Sequence, residues 1–173
     1  DMEPESRRVF RSHGPEATEA LGESLGRALS SRALIALDGD LGAGKTCFVR
    51  GLARGLGVTD VVSSPTYALL QSYPGRVELH HLDAWMEGRE RAFLLDGGLE
   101  WVASSGVTVI EWATRVADVL PEPRLAITLE VVDPTTRLVT LEIVGDEPPG
   151  GPLRRALAEL APVDGLDAPA PQR

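Results

Sequence analysis

The sequence predicts an α/β fold, and three observations carry that expectation. Residues 33–37 (ALIAL) and 107–110 (VTVI) are short apolar runs that suit strands covered on both faces. The first run leads straight into a glycine-rich loop and a helix with apolar residues at Phe48, Val49, Leu52 and Leu56. Residues 125–132 and 137–144 alternate like two strands and meet at Asp133-Pro134, which reads as a closing hairpin.

In chain order, a charged N-terminus precedes residues 15–29, where Leu21, Leu25 and Leu29 form one helical stripe. Ser12 is the candidate cap and Pro15 occupies the first turn, so a surface helix is expected. The strand at 33–37 ends at Asp38-Gly39, and the helix over 45–56 is stopped by Gly57. A polar loop, Ser63-Ser64-Pro65-Thr66, then leads to a strand over 67–73 and a Pro74-Gly75 turn. Residues 77–83 alternate as a strand and end on a carboxylate. Residues 87–103 read as helical with an interruption near Gly97-Gly98, and 113–120 as a short helix after Glu111-Trp112. Beyond Gly145 the composition shifts to Pro, Gly, Ala and Asp. Leu153, Leu157 and Leu160 permit a helical turn or two, whereas 162–173 is expected to be disordered. One domain over 1–145 and a largely disordered tail over 146–173 is the resulting expectation.

Charge narrows the function classes. Seventeen Lys+Arg against 26 Asp+Glu give a net charge of −9 over 173 residues, of which 43% are hydrophobic. Such a chain suits one soluble, acidic domain with a single core, and it argues against gripping nucleic acid unaided, because that affinity rests on neutralising phosphates. The single cysteine, Cys47, leaves no disulfide partner and no Cys-rich zinc site, which fits a reducing compartment. No stretch approaches 18 apolar residues and the first 13 are not signal-like, so no membrane span or export sequence is expected and the default location is cytoplasmic. Lys45 is the only lysine; every other cation among the 17 is Arg. That exception marks a place suited to a compact ammonium rather than a planar fork.

Gly39-Asp40-Leu41-Gly42-Ala43-Gly44-Lys45-Thr46 matches the phosphate-binding pattern GxxxxGK[ST], and it lies between a strand and a helix, where the mechanism requires it. Backbone N–H groups and the helix N-terminus face a polyphosphate, Lys45 reaches the β- and γ-phosphates, and Thr46 ligates Mg²⁺. Asp83 is the best-placed strand-end carboxylate for the Mg²⁺; the bland reading is an ordinary strand-end Asp. Glu111 is the second such carboxylate. It can orient an attacking water or hold metal-bound water, or it is an exposed charge. Thr66 either senses Mg²⁺ and the γ-phosphate or is a turn residue. His80 and His81 point to opposite faces, so they cannot chelate one metal together; His81 shares Asp83's face and supports it at one remove, while His80 is structural. Cys47 reads as a packed thiol beside the loop. With no second lysine, the chain lacks the guanine-reading Asn-Lys-x-Asp and the strand lysine of protein kinases, so ATP is the expected nucleotide.

The order of Gly39–Thr46, then Ser64-Pro65-Thr66-Tyr67, then His81-x-Asp83, then Ile110-Glu111-Trp112 resembles the TsaE (YjeE) family over residues 15–145. The resemblance implies a P-loop NTPase-like three-layer fold, its central sheet parallel with antiparallel additions. It implies Mg²⁺-dependent ATP hydrolysis supporting a TsaD–TsaB assembly that threonylcarbamoylates adenosine 37 of tRNA, without tight tRNA binding by this chain. Residues 64–66 then correspond to a switch I-like loop, Asp83 to the Mg²⁺ carboxylate, and Glu111-Trp112 to a switch II-like segment. Lys45 and Glu111 are the catalytic pair on this reading; Cys47, Thr66 and Trp112 join the loop in holding nucleotide, and Thr46, Asp83 and Glu111 face the metal. Three positions depart from the family pattern: Cys47 replaces a second Thr, Ala84-Trp85-Met86 follows Asp83 with no Arg, and Ala113 replaces a Pro. A small-molecule P-loop kinase, with Arg89 and Arg91 on a lid, and a nucleotide-binding scaffold without turnover are the competing readings.

Overall fold

The computed structural model describes residues 6–60, 62, 70–83, 89–98, 100 and 105–169. Among the described residues, eight strands, β1 (Arg7–Ser12), β2 (Ala33–Gly39), β3 (Leu70–Tyr73), β4 (Leu79–Asp83), β5 (Val107–Glu111), β6 (Arg124–Asp133), β7 (Thr136–Val144) and β8 (Leu166–Asp167), form one sheet. Their order is β3-β4-β5-β2-β6-β7-β1-β8. β4, β5, β2 and β6 run parallel at the centre, and β3, β7, β1 and β8 are antiparallel additions. The expected fold class is therefore observed.

Alternation along β2 shows why both faces are covered. Ile35 and Leu37 enter one core with Phe48, Leu52, Leu21 and Leu25, while Leu34 and Ala36 enter a second with Leu82, Leu94, Ile110 and Val116. Period-2 side-chain geometry makes a continuous apolar run the signature of such a strand. Helices α1 (Pro15–Ala28) and α2 (Lys45–Gly55) build the first layer and touch backbone to backbone. A Cβ on Gly51 would lie 1.8 Å from the Glu19 carbonyl oxygen, so only glycine allows this approach. On the other face, α3 (Arg89–Phe93) passes into an irregular turn over Leu94–Gly98, where Gly97 has φ 100°, and this is the interruption read near Gly97-Gly98.

Several elements differ from expectation. Residues 7–12 of the charged N-terminal region form a strand: in β1, Phe10 and Ser12 are buried against the sheet, and Arg8 lies over the Phe10 ring at 4.9 Å. Ser12 does not cap α1; its Oγ donates to the Gly14 carbonyl at 2.9 Å, and Gly14 is the cap residue. The short helix expected over 113–120 is two 3₁₀ turns, Ala113–Arg115 and Ala117–Val119.

The largest correction concerns the segment after 145. Its described part, 146–169, is packed rather than disordered, and it shares the main core instead of lying outside a domain ending at 145. It contributes α4 (Pro152–Ala158), with Leu153, Ala156, Leu157 and Leu160 in that core, and β8 paired to β1. The local reason is Glu147, whose carboxylate accepts from the Leu153 and Arg154 N–H groups at 3.0 and 2.7 Å, satisfying donors that a helix start leaves open.

Candidate functional site

The loop between β2 and α2 stands at the carboxyl ends of the parallel strands, where open α/β sheets form crevices. Gly44, with φ 103°, turns the chain into the first turn of α2 in a conformation that a side chain would strain. Ala43 N–H donates to the Asp40 carbonyl at 3.0 Å, and Ala43 itself is buried beneath the loop. From the neighbouring hairpin, Arg137 Nη2 donates to the Gly42 carbonyl at 3.1 Å, a buttress with no signal in the sequence pattern.

Strand register brings the carboxylates in. Asp83 on β4 is paired with Glu111 on β5, and Glu111 with Leu37 on β2, so both carboxylates reach the same end and face of the sheet. A cleft of about 550 Å³ is lined by Asp40, Leu41, Gly42, Gly44, Lys45, Thr46, Cys47, Asp83, Glu111 and Trp112. Gly39 reaches it through its carbonyl, which accepts from Lys45 Nζ. Thr66 lies outside the described residues, as do Trp85 and Trp101. Cys47 is half-buried on the wall rather than packed in the core.

Lys45 is 7% exposed, and its ammonium sits 3.6 Å from the centroid of the Trp112 ring. Burial pushes its pKa below 10.5, opposed by the negative charges of Glu111, Asp83, Asp38 and Asp40. Trp112 has φ 58°, a left-handed conformation that a bulky residue adopts only when its surroundings enforce it. Asp38 supplies part of that enforcement, since its Oδ1 accepts from Thr114 N–H at 3.1 Å and from the Thr114 hydroxyl at 3.2 Å. Two residues after the tryptophan, these bonds tie the segment to the end of β2.

Glu111 is not an exposed strand-end charge. It is 4% exposed, and its Oε2 lies 2.5 Å from Nε2 of His81, itself 1% exposed. His80 points to the other face, where Nδ1 bonds Ser72 Oγ at 2.9 Å and burial lowers its pKa below 6.5 against the charge of Glu78. Arg91, one of the two candidate lid cations, is held in a fork to Asp118 at 2.8 and 2.9 Å and donates to the Arg115 carbonyl at 3.0 Å. Arg50 and Arg54 pair with Glu19 at 3.5 and 3.2 Å on the far side of α2.

Sheet order, the strand–loop–helix unit and the crevice at the parallel strand ends define an α/β protein of the P-loop NTPase-like three-layer class. The family model described as threonylcarbamoyl adenosine biosynthesis protein TsaE matches residues 12–139. The chain belongs to the TsaE family. It is 42% identical over 130 residues to the tRNA threonylcarbamoyladenosine biosynthesis protein TsaE of Treponema pallidum, covering 75% of this chain and 96% of that one. The protein of the same name in Bacillus subtilis is 35% identical over 139 residues, with 79% and 86% coverage. Among solved structures, Bacillus subtilis YdiB superimposes with a TM-score of 0.66 at 33% identity, over 80% of this chain and 86% of that chain. Among the described residues, no helix is long and apolar enough to cross a membrane.

Proposed function

We propose that the chain binds Mg·ATP in the cleft beside Lys45 and hydrolyses it, as an accessory subunit acting with TsaD–TsaB in the threonylcarbamoylation of adenosine 37 of tRNA in the cytoplasm. Membership of the TsaE family supports a role in tRNA threonylcarbamoyladenosine biosynthesis. The observation that carries the rest is the convergence of a lone lysine at a helix N-terminus with two carboxylates from adjacent parallel strands on one cleft.

The donor set fits a hard cation held jointly with phosphates. Thr46 offers a hydroxyl and Asp83 a carboxylate, and Mg²⁺ in nucleotide sites takes only one or two protein ligands beside phosphate oxygens and water. Asp40, Asp83 and Glu111 outnumber Lys45 on the walls, so bare triphosphate meets repulsion that a divalent cation offsets. When bound, Mg²⁺ would supply charge neutralisation at the phosphates.

The chain's own groups do the remainder. Loop N–H groups and the positive end of α2 receive phosphate oxygens. Lys45 exchanges the Gly39 carbonyl and the Trp112 ring for a phosphate oxygen, keeping its charge in a partly dry setting. Glu111 orients a water toward the γ-phosphoryl group. Net charge of −9 leaves tRNA contact to the partner proteins. Steady-state phosphate release by the parent chain and by Glu111→Gln tests the reading: the parent releases phosphate and the variant loses most of it. A phosphorylated acceptor without free phosphate would favour the kinase.

A further inference from the structure

We infer that His81 is a positioning residue, holding Glu111 through Oε2 so that the other carboxylate oxygen meets the attacking water. The inference rests on the ATPase reading of the cleft and assigns a function to a residue that does not line it.

Three observations support it. His81 and Glu111 are both more than nine-tenths buried, and a carboxylate taken out of water is costly unless something donates to it. Nε2 meets Oε2 in a direct hydrogen bond between the two buried side chains. Nδ1 has no hydrogen-bond partner among the described residues, and within them Glu111 is the group that hydrogen-bonds the ring. The register explains the reach: His81 pairs with Val109, one side-chain step behind Glu111 on the same face, and its ring spans the diagonal. Oε2 is thereby committed, and rotation of the carboxylate about its last torsion, broad and two-fold when free, is stopped. Lys45 acts on charge at the same cleft, but it does not fix that torsion.

The experiment is a cycle of His81→Leu, His81→Gln and His81→Asn, each alone and with Glu111→Gln, read by kcat, by KM and by Mg·ATP affinity in titration calorimetry. His81→Leu is expected to lower kcat by about tenfold or more while affinity stays within a few-fold of the parent. Gln places its amide nitrogen near the position of Nε2 and restores part of the loss; Asn places its own near Nδ1 and does not. In the Glu111→Gln background the His81 substitutions add no further loss, as expected of residues acting as one unit. Independently of turnover, imidazole nitrogen NMR of the nucleotide-free chain should show a hydrogen-bonded Nε2–H on His81 that is lost in Glu111→Ala. Parental kcat in His81→Leu, equal turnover in the Gln and Asn variants, or losses that simply add would overturn the inference. If His81→Leu does not fold, the Gln–Asn comparison decides. Failure of the underlying reading looks different, since Glu111→Gln would then turn over ATP like the parent.

Discussion

Replacing Gly51 by Ala perturbs the contact that fixes α2, and with it Lys45, against α1. The new Cβ would stand 1.8 Å from the Glu19 carbonyl oxygen, 2.7 Å from its carbon and 3.0 Å from the Glu23 nitrogen. All three are backbone atoms, so no side chain can swing aside. Ordinary contact begins at 3.4 Å, and the helices must therefore part by about 1.6 Å, enough to forfeit much of the dispersion at each contact. Leu21, Leu25, Phe48 and Leu52, all 0% exposed, lose neighbours along the same seam. Overpacking of this kind costs about 1–3 kcal/mol or more, and the better helix propensity of Ala returns at most about 1 kcal/mol. With a net loss of about 2 kcal/mol and about 2–4 °C per kcal/mol for a chain of this size, Tm falls by about 4–8 °C. Thermal and urea unfolding followed by far-ultraviolet circular dichroism measure it. A Gly51→Ala variant as stable as the parent would refute the backbone-contact argument.

Other expectations concern the cleft and its neighbours. Lys45→Arg should weaken Mg·ATP binding by about tenfold or more in calorimetry, because a planar guanidinium is bulkier and differently shaped than the compact ammonium that this phosphate-loop position takes. Asp83→Asn should weaken the Mg²⁺-dependent part of binding and turnover together, and chelating Mg²⁺ from the parent should reproduce that loss. His80 has a folded pKa below 6.5, so the unfolded chain binds more protons than the folded one in the window beneath that value, and stability falls as pH drops through it. His80→Asn should flatten that slope in urea titrations across the window; an unchanged slope would show that His80 is not its source.

Much of the fold was legible because its strongest signals are local. The runs in β2 and β5, the glycine loop and the stripe on α2 each fit within a dozen residues. What stayed hidden depends on distant partners. β1 looks like a charged leader because only Phe10 and Ser12 bury fully, and its strand state comes from pairing with β7, some 130 residues later. α4 sits in a Pro- and Gly-rich stretch whose composition imitates disorder; Glu147 capping it from six residues upstream is a single-residue signal that composition averages away. In the site, motif order anticipated Lys45, Asp83 and Glu111 on one cleft, and alternation put His81 on the face of Asp83. The burial of Glu111, the strained backbone of Trp112 and the Arg137 buttress arise from register and hairpin geometry, which no spacing rule encodes.

Steady-state phosphate release by the parent chain and Glu111→Gln, with and without TsaD–TsaB, alongside tRNA binding by the chain alone, tests the proposed accessory ATPase most directly. Slow release by the isolated parent and acceleration on adding the partners are expected, because P-loop sites gain about 10³–10⁵ in rate when a charge-stabilising group arrives in trans; near-complete loss in Glu111→Gln at retained Mg·ATP affinity and weak tRNA binding at physiological salt are expected alongside. Fast release unaffected by the partners, parental turnover in Glu111→Gln, or submicromolar tRNA binding by the free chain would contradict it.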